Sequence, residues 1–137
     1  MPERCGFDYA VVRLVPRVER EEFLNIGVIV HAPARAFLAC VVALDRARLA
    51  HFAPGLTDAE LTELEQHVQA WHAVCQGEPS GGPIARMSPS ERFHWLVAPR
   101  STSIQTSAVH TGLTDDPAAA VERLFHSMVG HPAAALT

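Results

Sequence analysis

Phe7-Asp8-Tyr9-Ala10-Val11-Val12-Arg13-Leu14-Val15 alternates between two faces, with Tyr9, Val11, Arg13 and Val15 on one and Asp8, Ala10, Val12 and Leu14 on the other. Successive side chains of an extended chain point to opposite sides, so this is strand patterning. Both faces are largely apolar, which requires that at least one side of the sheet be covered. Pro16 stops the run because it has no N–H to give to a ladder. Beyond the charged turn Arg17 to Glu22, Asn25-Ile26-Gly27-Val28-Ile29-Val30 is short, β-branched and bounded by Ala32-Pro33, the pattern of a second strand. Phe37 to Ala43 gives a third. Connections this short join antiparallel neighbours, and the three form a meander.

The helices announce themselves through their caps. Thr57-Asp58-Ala59-Glu60 is a capping box, with Leu56 and Leu61 at the positions of a hydrophobic staple. Leu61, Leu64, Val68, Trp71 and Cys75 then follow at helical spacing until Gly77. Ser88-Pro89-Ser90-Glu91 repeats the capping logic and opens a shorter helix through Phe93, Trp95 and Leu96, limited by Pro99. Asp116-Pro117 starts a last helix whose Val121, Leu124, Phe125 and Met128 share a face, closed by Gly130. Asp45 to Phe52 supplies another short helical piece. Trp71, Trp95 and the phenylalanines fall on stripes that assign them to the core.

Between these helices, residues 77–87 begin Gly77-Glu78-Pro79-Ser80-Gly81-Gly82-Pro83, a mobile loop rather than a domain boundary. Ser103 to Val109 is polar but β-prone and is expected as a fourth strand. The whole chain, 1–137, therefore reads as one α+β domain with a frayed tail at 131–137: a small, mostly antiparallel sheet, a three-stranded meander plus a later strand, packed by about four helical segments.

A chain of 137 residues buries roughly two thirds of its unfolded surface around one core, leaving no room for a second. The first residues carry no basic patch feeding an apolar segment, and no stretch approaches the ~20 apolar residues of a membrane helix, so the expected compartment is the cytoplasm. Cys5, Cys40 and Cys75 are odd in number and contain no C-x-x-C pair, the usage of reduced thiols, with Cys40 in the core. A net charge of −4 argues against a general electrostatic grip on nucleic acid. All eleven basic residues are arginine, the codon bias of a GC-rich genome.

Chemistry could be sited at two places. Arg13 would be brought near Glu22 and Asn25 by the first hairpin, either as a structural ion pair with Glu22 or as a clamp for a carboxylate or phosphate. Gly27 inside a strand marks a bulge or a close approach of backbone or ligand. Period-two geometry puts Ser101, Ser103, Gln105 and Ser107 on one face of the polar strand, as a wet sheet face or the lining of a groove. His110, before a turn at Gly112, suits proton transfer or anion binding, or is simply a satisfied structural histidine. His72 and Cys75 are the only pair at ligand spacing, without a third ligand, so neither metal nor cofactor is expected. The glycine-rich, Walker, G-x-S-x-G and H-E-x-x-H motifs are absent from the sequence.

Two blocks of residues resemble a known family. Tyr9-Ala10-Val11-Val12-Arg13 with Arg20-Glu21-Glu22-Phe23-Leu24-Asn25-Ile26-Gly27-Val28, and Arg100-Ser101-Thr102 with Ile104-Gln105-Thr106-Ser107 and Val109-His110-Thr111-Gly112-Leu113, are similar to the bacterial domain of unknown function 3037. The family carries no assigned activity. Its members often sit beside stand-alone kinases of the HipA-like type, which implies a kinase as partner. The expected function is a non-enzymatic cytosolic interaction or regulatory module acting with another bacterial protein. The alternatives are a ligand-binding protein or enzyme with a polar groove using Arg13, Asn25, Gln105 and His110, and a structural homodimer.

Overall fold

The computed structural model describes residues 3–130. Strand β1 (Cys5–Leu14) is the spine of a five-stranded antiparallel sheet. On one side it pairs with β2 (Leu24–Ala32), which pairs in turn with β3 (Phe37–Val42), completing the expected meander. On its other side lie two short strands end to end. β4 (Ile104–Thr106) runs beside Val12 to Leu14 and β5 (His110–Thr114) beside Cys5 to Tyr9.

The strand expected over Ser103 to Val109 is thus shortened to Ile104–Thr106 and followed by a further strand, with Ser107 at the break. Its backbone N–H donates to the Val11 carbonyl at 2.9 Å, but the Val11 N–H donates to the Ser107 hydroxyl, also at 2.9 Å, instead of to a ladder carbonyl. A side chain that competes with the backbone in this way interrupts a ladder. Gly112, expected in a turn, lies inside β5, where a Cβ would sit 2.6 Å from the Phe7 ring.

Three helices, α1 (Arg46–Phe52), α2 (Asp58–Gln76) and α3 (Pro89–Leu96), cover one face of the sheet, and α4 (Pro117–Met128) packs on the other. The first core joins Ala10, Val12 and Leu14 of β1 to Leu61, Leu64, Val68 and Trp71 of α2. The second joins Phe7, Val28 and Val30 to Val121 and Phe125 of α4. The alternation of β1 therefore feeds two cores, which is why neither of its faces is polar throughout.

Each α-helix begins on the side chain of its N-cap residue. The Thr57 hydroxyl accepts from the Glu60 N–H at 3.1 Å while the Glu60 carboxylate accepts from the Thr57 N–H at 3.0 Å. Those bonds hold the Glu60 carboxyl below its usual pKa. Asp45, Ser88 and Asp116 cap α1, α3 and α4. At α3 the Ser88 hydroxyl also donates to the Glu91 carboxylate, so the box closes between side chains. The segment 77–87 contains two 3-10 turns, Pro79–Gly81 and Ile84–Arg86, and buries Ala85. The tail expected at 131–137 lies outside the described residues.

A bulge decides which residues of β2 face which core. The register with β1 shifts between Val12 and Arg13, so that Val12 pairs with Gly27 and Arg13 with Asn25. The extra residue, Ile26, joins the α2 core. Asn25 consequently turns to the α4 side, where its side-chain N–H contacts the Met128 carbonyl at 3.4 Å. Gly27 has no room for a side chain: a Cβ would come within 2.5 Å of both the Val41 carbonyl oxygen and a Val42 methyl. It is the backbone of β3, not a ligand, that approaches here.

Candidate functional site

The register of the sheet lines up Asn25, Arg13 and Gln105 across β2, β1 and β4, all on the face that carries α4. That helix packs over β2 and β3, so the β1–β4 half of the face is left to side chains of its own. Arg13 is half-buried there, with its guanidinium 4.1 Å from the centre of the Phe23 ring and no carboxylate partner among the described residues. The expected ion pair with Glu22 does not form. Glu22 instead takes the guanidinium of Arg20, two residues away in the same turn and closer than the β1 strand. Phe23, assigned with the other phenylalanines to the core, is 44% exposed, with the Arg13 guanidinium over its ring.

Of the polar-strand residues only Gln105 stands beside Arg13 among the described residues. Ser103 lies before β4 begins and bonds His67 of α2, on the opposite side of the sheet. Gln105 donates to the Thr102 carbonyl at 2.9 Å, and Ser107 is consumed by the β4–β5 break. His110 shares the Arg13 face but sits beside Tyr9, four residues along β1 from Arg13, a separation of about 13 Å at strand rise. It is exposed and packs on the Tyr9 ring with centroids 5.4 Å apart. Among the described residues, then, Ser103 and Ser107 do not join Gln105 in one open face, and Arg13 and His110 do not meet.

A cleft that the sequence did not announce opens on the other side of the sheet. It has a volume of about 690 Å³ between α2, the 3-10 turn at Pro79–Gly81, the end of α3 and the approach to β4. Trp71 and Val74 form its apolar floor, and Trp95 its rim. Trp95 is 41% exposed, not core. At two residues from Phe93 it points about 200° around the helix, while Phe93 and Leu96, three apart, share the buried face.

Polar groups enter this cleft from the second sequence block. The Arg100 guanidinium stands 4.1 Å over the Trp95 ring and donates to the carbonyls of Leu96, at 3.2 Å, and Trp95, closing the C-terminal end of α3. Burial lowers the pKa of Arg100 from its usual value, though arginine stays charged at neutral pH. Ser103 and His67 face the cleft as a hydrogen-bonded pair, hydroxyl to Nδ1, at 2.8 Å. The other ring nitrogen of His67 is 3.9 Å from Glu63, one helical turn earlier. The indole N–H of Trp71 is buried without an acceptor among the described residues. No aspartate or glutamate lines the cleft.

Neither surface gathers three or more metal-ligating side chains, nor does any other part of the described residues. The His72 ring contacts Gln76, and the Cys75 thiol meets that of Cys40 across the α2–sheet interface. No helix among the described residues is long and apolar enough to cross a membrane.

The fold is a three-layer α+β protein built on an antiparallel sheet, with helices on both of its faces. The chain belongs to the family described as Protein of unknown function (DUF3037), which it matches over residues 9–129, from β1 to the end of α4. No curated protein and no solved structure matches the chain.

Proposed function

We propose that this protein is a non-enzymatic interaction or regulatory module of the bacterial cytoplasm, and that it meets its partner through the open β1–β4 half of the α4 face. The observation that supports this is Arg13: a half-buried cation stacked on an exposed phenylalanine, with no carboxylate to neutralise it. Arginine beside an aromatic ring is the composition of interface hot spots, where a partner's acidic or carbonyl groups complete the pair. Asn25 and Gln105, in register on either side, extend the polar row. The partner class implied by the family resemblance is a HipA-like kinase.

The test is co-purification of this protein with a HipA-like kinase, comparing wild type with Arg13→Glu and Phe23→Ala. Circular dichroism reports whether each variant is folded. The expected result is a folded domain that loses the kinase by tenfold or more in affinity. Equal binding by both variants removes this face as the interface.

A second reading, a small-anion binder at the same row, rests on the unpaired guanidinium itself. It predicts a rise in melting temperature with inorganic phosphate that disappears in Arg13→Ala. The structural homodimer would appear as a two-chain mass in sedimentation that Phe23→Ala halves.

A further inference from the structure

We propose that the cleft between α2, α3 and β4 binds a small amphipathic carboxylate, an apolar chain or aromatic body ending in one negative charge. The site is on the opposite side of the sheet from Arg13 and stands independently of the interaction surface described above.

Size sets the class of ligand first. A cleft of about 690 Å³ falls within the roughly 300–1,000 Å³ of small-molecule sites. Its walls are the rings of Trp71 and Trp95 with Val74, Ala70 and Ile104, so the bulk of the occupant must be apolar. A tryptophan rim left 41% open to water is an exposure that an apolar ligand would remove.

Charge then sets the head group. Arg100 is the sole fully charged side chain lining the cleft; Glu63 stands outside the lining, 3.9 Å from the second ring nitrogen of His67. Two carbonyls hold the guanidinium against Trp95 but leave its positive charge uncompensated. A carboxylate placed over it gains a charge-assisted contact in surroundings already partly desolvated. The Ser103 hydroxyl and the His67 ring, bonded to one another at 2.8 Å, add adjustable donors at the same mouth. A cationic ligand would meet Arg100 without any counter-charge in the lining.

The chain contains two tryptophans, and both line this cleft, so intrinsic fluorescence reads its occupancy directly. Decanoate, with decanol as the neutral control, is titrated below the concentrations at which either aggregates. The expected result is a saturable change in tryptophan emission, with decanoate bound about tenfold more tightly than decanol, the scale of one charge-assisted contact. Ala70→Phe, at an exposed helix position lining the cleft, should abolish binding of both. Arg100→Gln should remove the preference for decanoate. Because Arg100 also holds the end of α3, Ser103→Ala provides a second variant, expected to weaken decanoate more than decanol. Arg13→Glu should leave both affinities unchanged. The proposal is overturned by the absence of a saturable signal, by equal affinity for the two ligands, or by wild-type binding in Ala70→Phe.

Discussion

The guanidinium of Arg13 stands 4.1 Å from the centre of the Phe23 ring, while the neighbouring Glu22 is held by Arg20. Removing the arginine should cost the stacking interaction, about 0.5–1 kcal/mol at a site this open. Glu22→Ala should change stability by less than ~0.5 kcal/mol, since an exposed ion pair within one turn contributes little. Urea denaturation of the two variants checks the assignment, and the reverse order would mean that Glu22 is the true partner of Arg13.

Gly27 is fixed by space. Its missing Cβ would overlap the Val41 carbonyl and the Val42 side chain at 2.5 Å, and neither can yield without moving β3. Gly27→Ala should destabilise by about 1–3 kcal/mol, the range for forcing extra volume into a packed interior. A melting temperature equal to that of wild type would show that the β2–β3 contact is looser than described.

His31 gives the protein an acid-sensitive component. Its side chain is 3% exposed and packed on Phe93, with ring centroids 4.8 Å apart and Nδ1 lacking a partner among the described residues. Burial lowers its pKa below 6.5; Asp8 across the strand pair raises it and His94 on α3 lowers it again. The unfolded chain thus takes up the proton first. Stability from this residue is intact above pH 6.5 and falls as the pH drops from there through the lower folded-state pKa. His31→Phe should flatten that fall, measured as the difference in unfolding free energy between pH 7.5 and pH 5.5. An unchanged difference would exclude His31 as its source.

The three cysteines should separate by reactivity. Cys40 and Cys75 are each 1% exposed; a hydrogen bond that the Cys40 thiol donates to Cys75, with burial, pushes the Cys40 thiol well above its usual pKa. Burial keeps reagents from both, and Cys40 is also held as the neutral thiol, so both should be inert at neutral pH while partly exposed Cys5 is labelled. Titration with a disulfide reagent should give one fast thiol in the native protein and three in denaturant. Two or more fast thiols would mean that α2 leaves the sheet readily.

Local chemistry made most of the architecture legible. A capping box needs only four consecutive residues, so the start of α2 at Thr57 and its stripe of Leu61, Leu64, Val68 and Trp71 could be read directly. Alternation likewise marked β1, and short connections made β2 and β3 its antiparallel partners. The break between β4 and β5 was not legible, because it depends on the Ser107 hydroxyl meeting an N–H on a strand 96 residues away.

The two candidate surfaces divide in the same way. The sequence by itself determined that Arg13, Asn25 and Gln105 lie on strands, and its two family-like blocks supply them. Only the tertiary structure decided that they form one row, since a single extra residue in β2 turns Asn25 to that face. It also separated Ser103 and His110 from the row and built the Trp71–Trp95–Arg100 cleft from segments far apart in the chain. Caps and alternation are set by neighbours within a few residues, whereas register and the facing of side chains follow from pairings between distant segments, fixed only once both cores are packed.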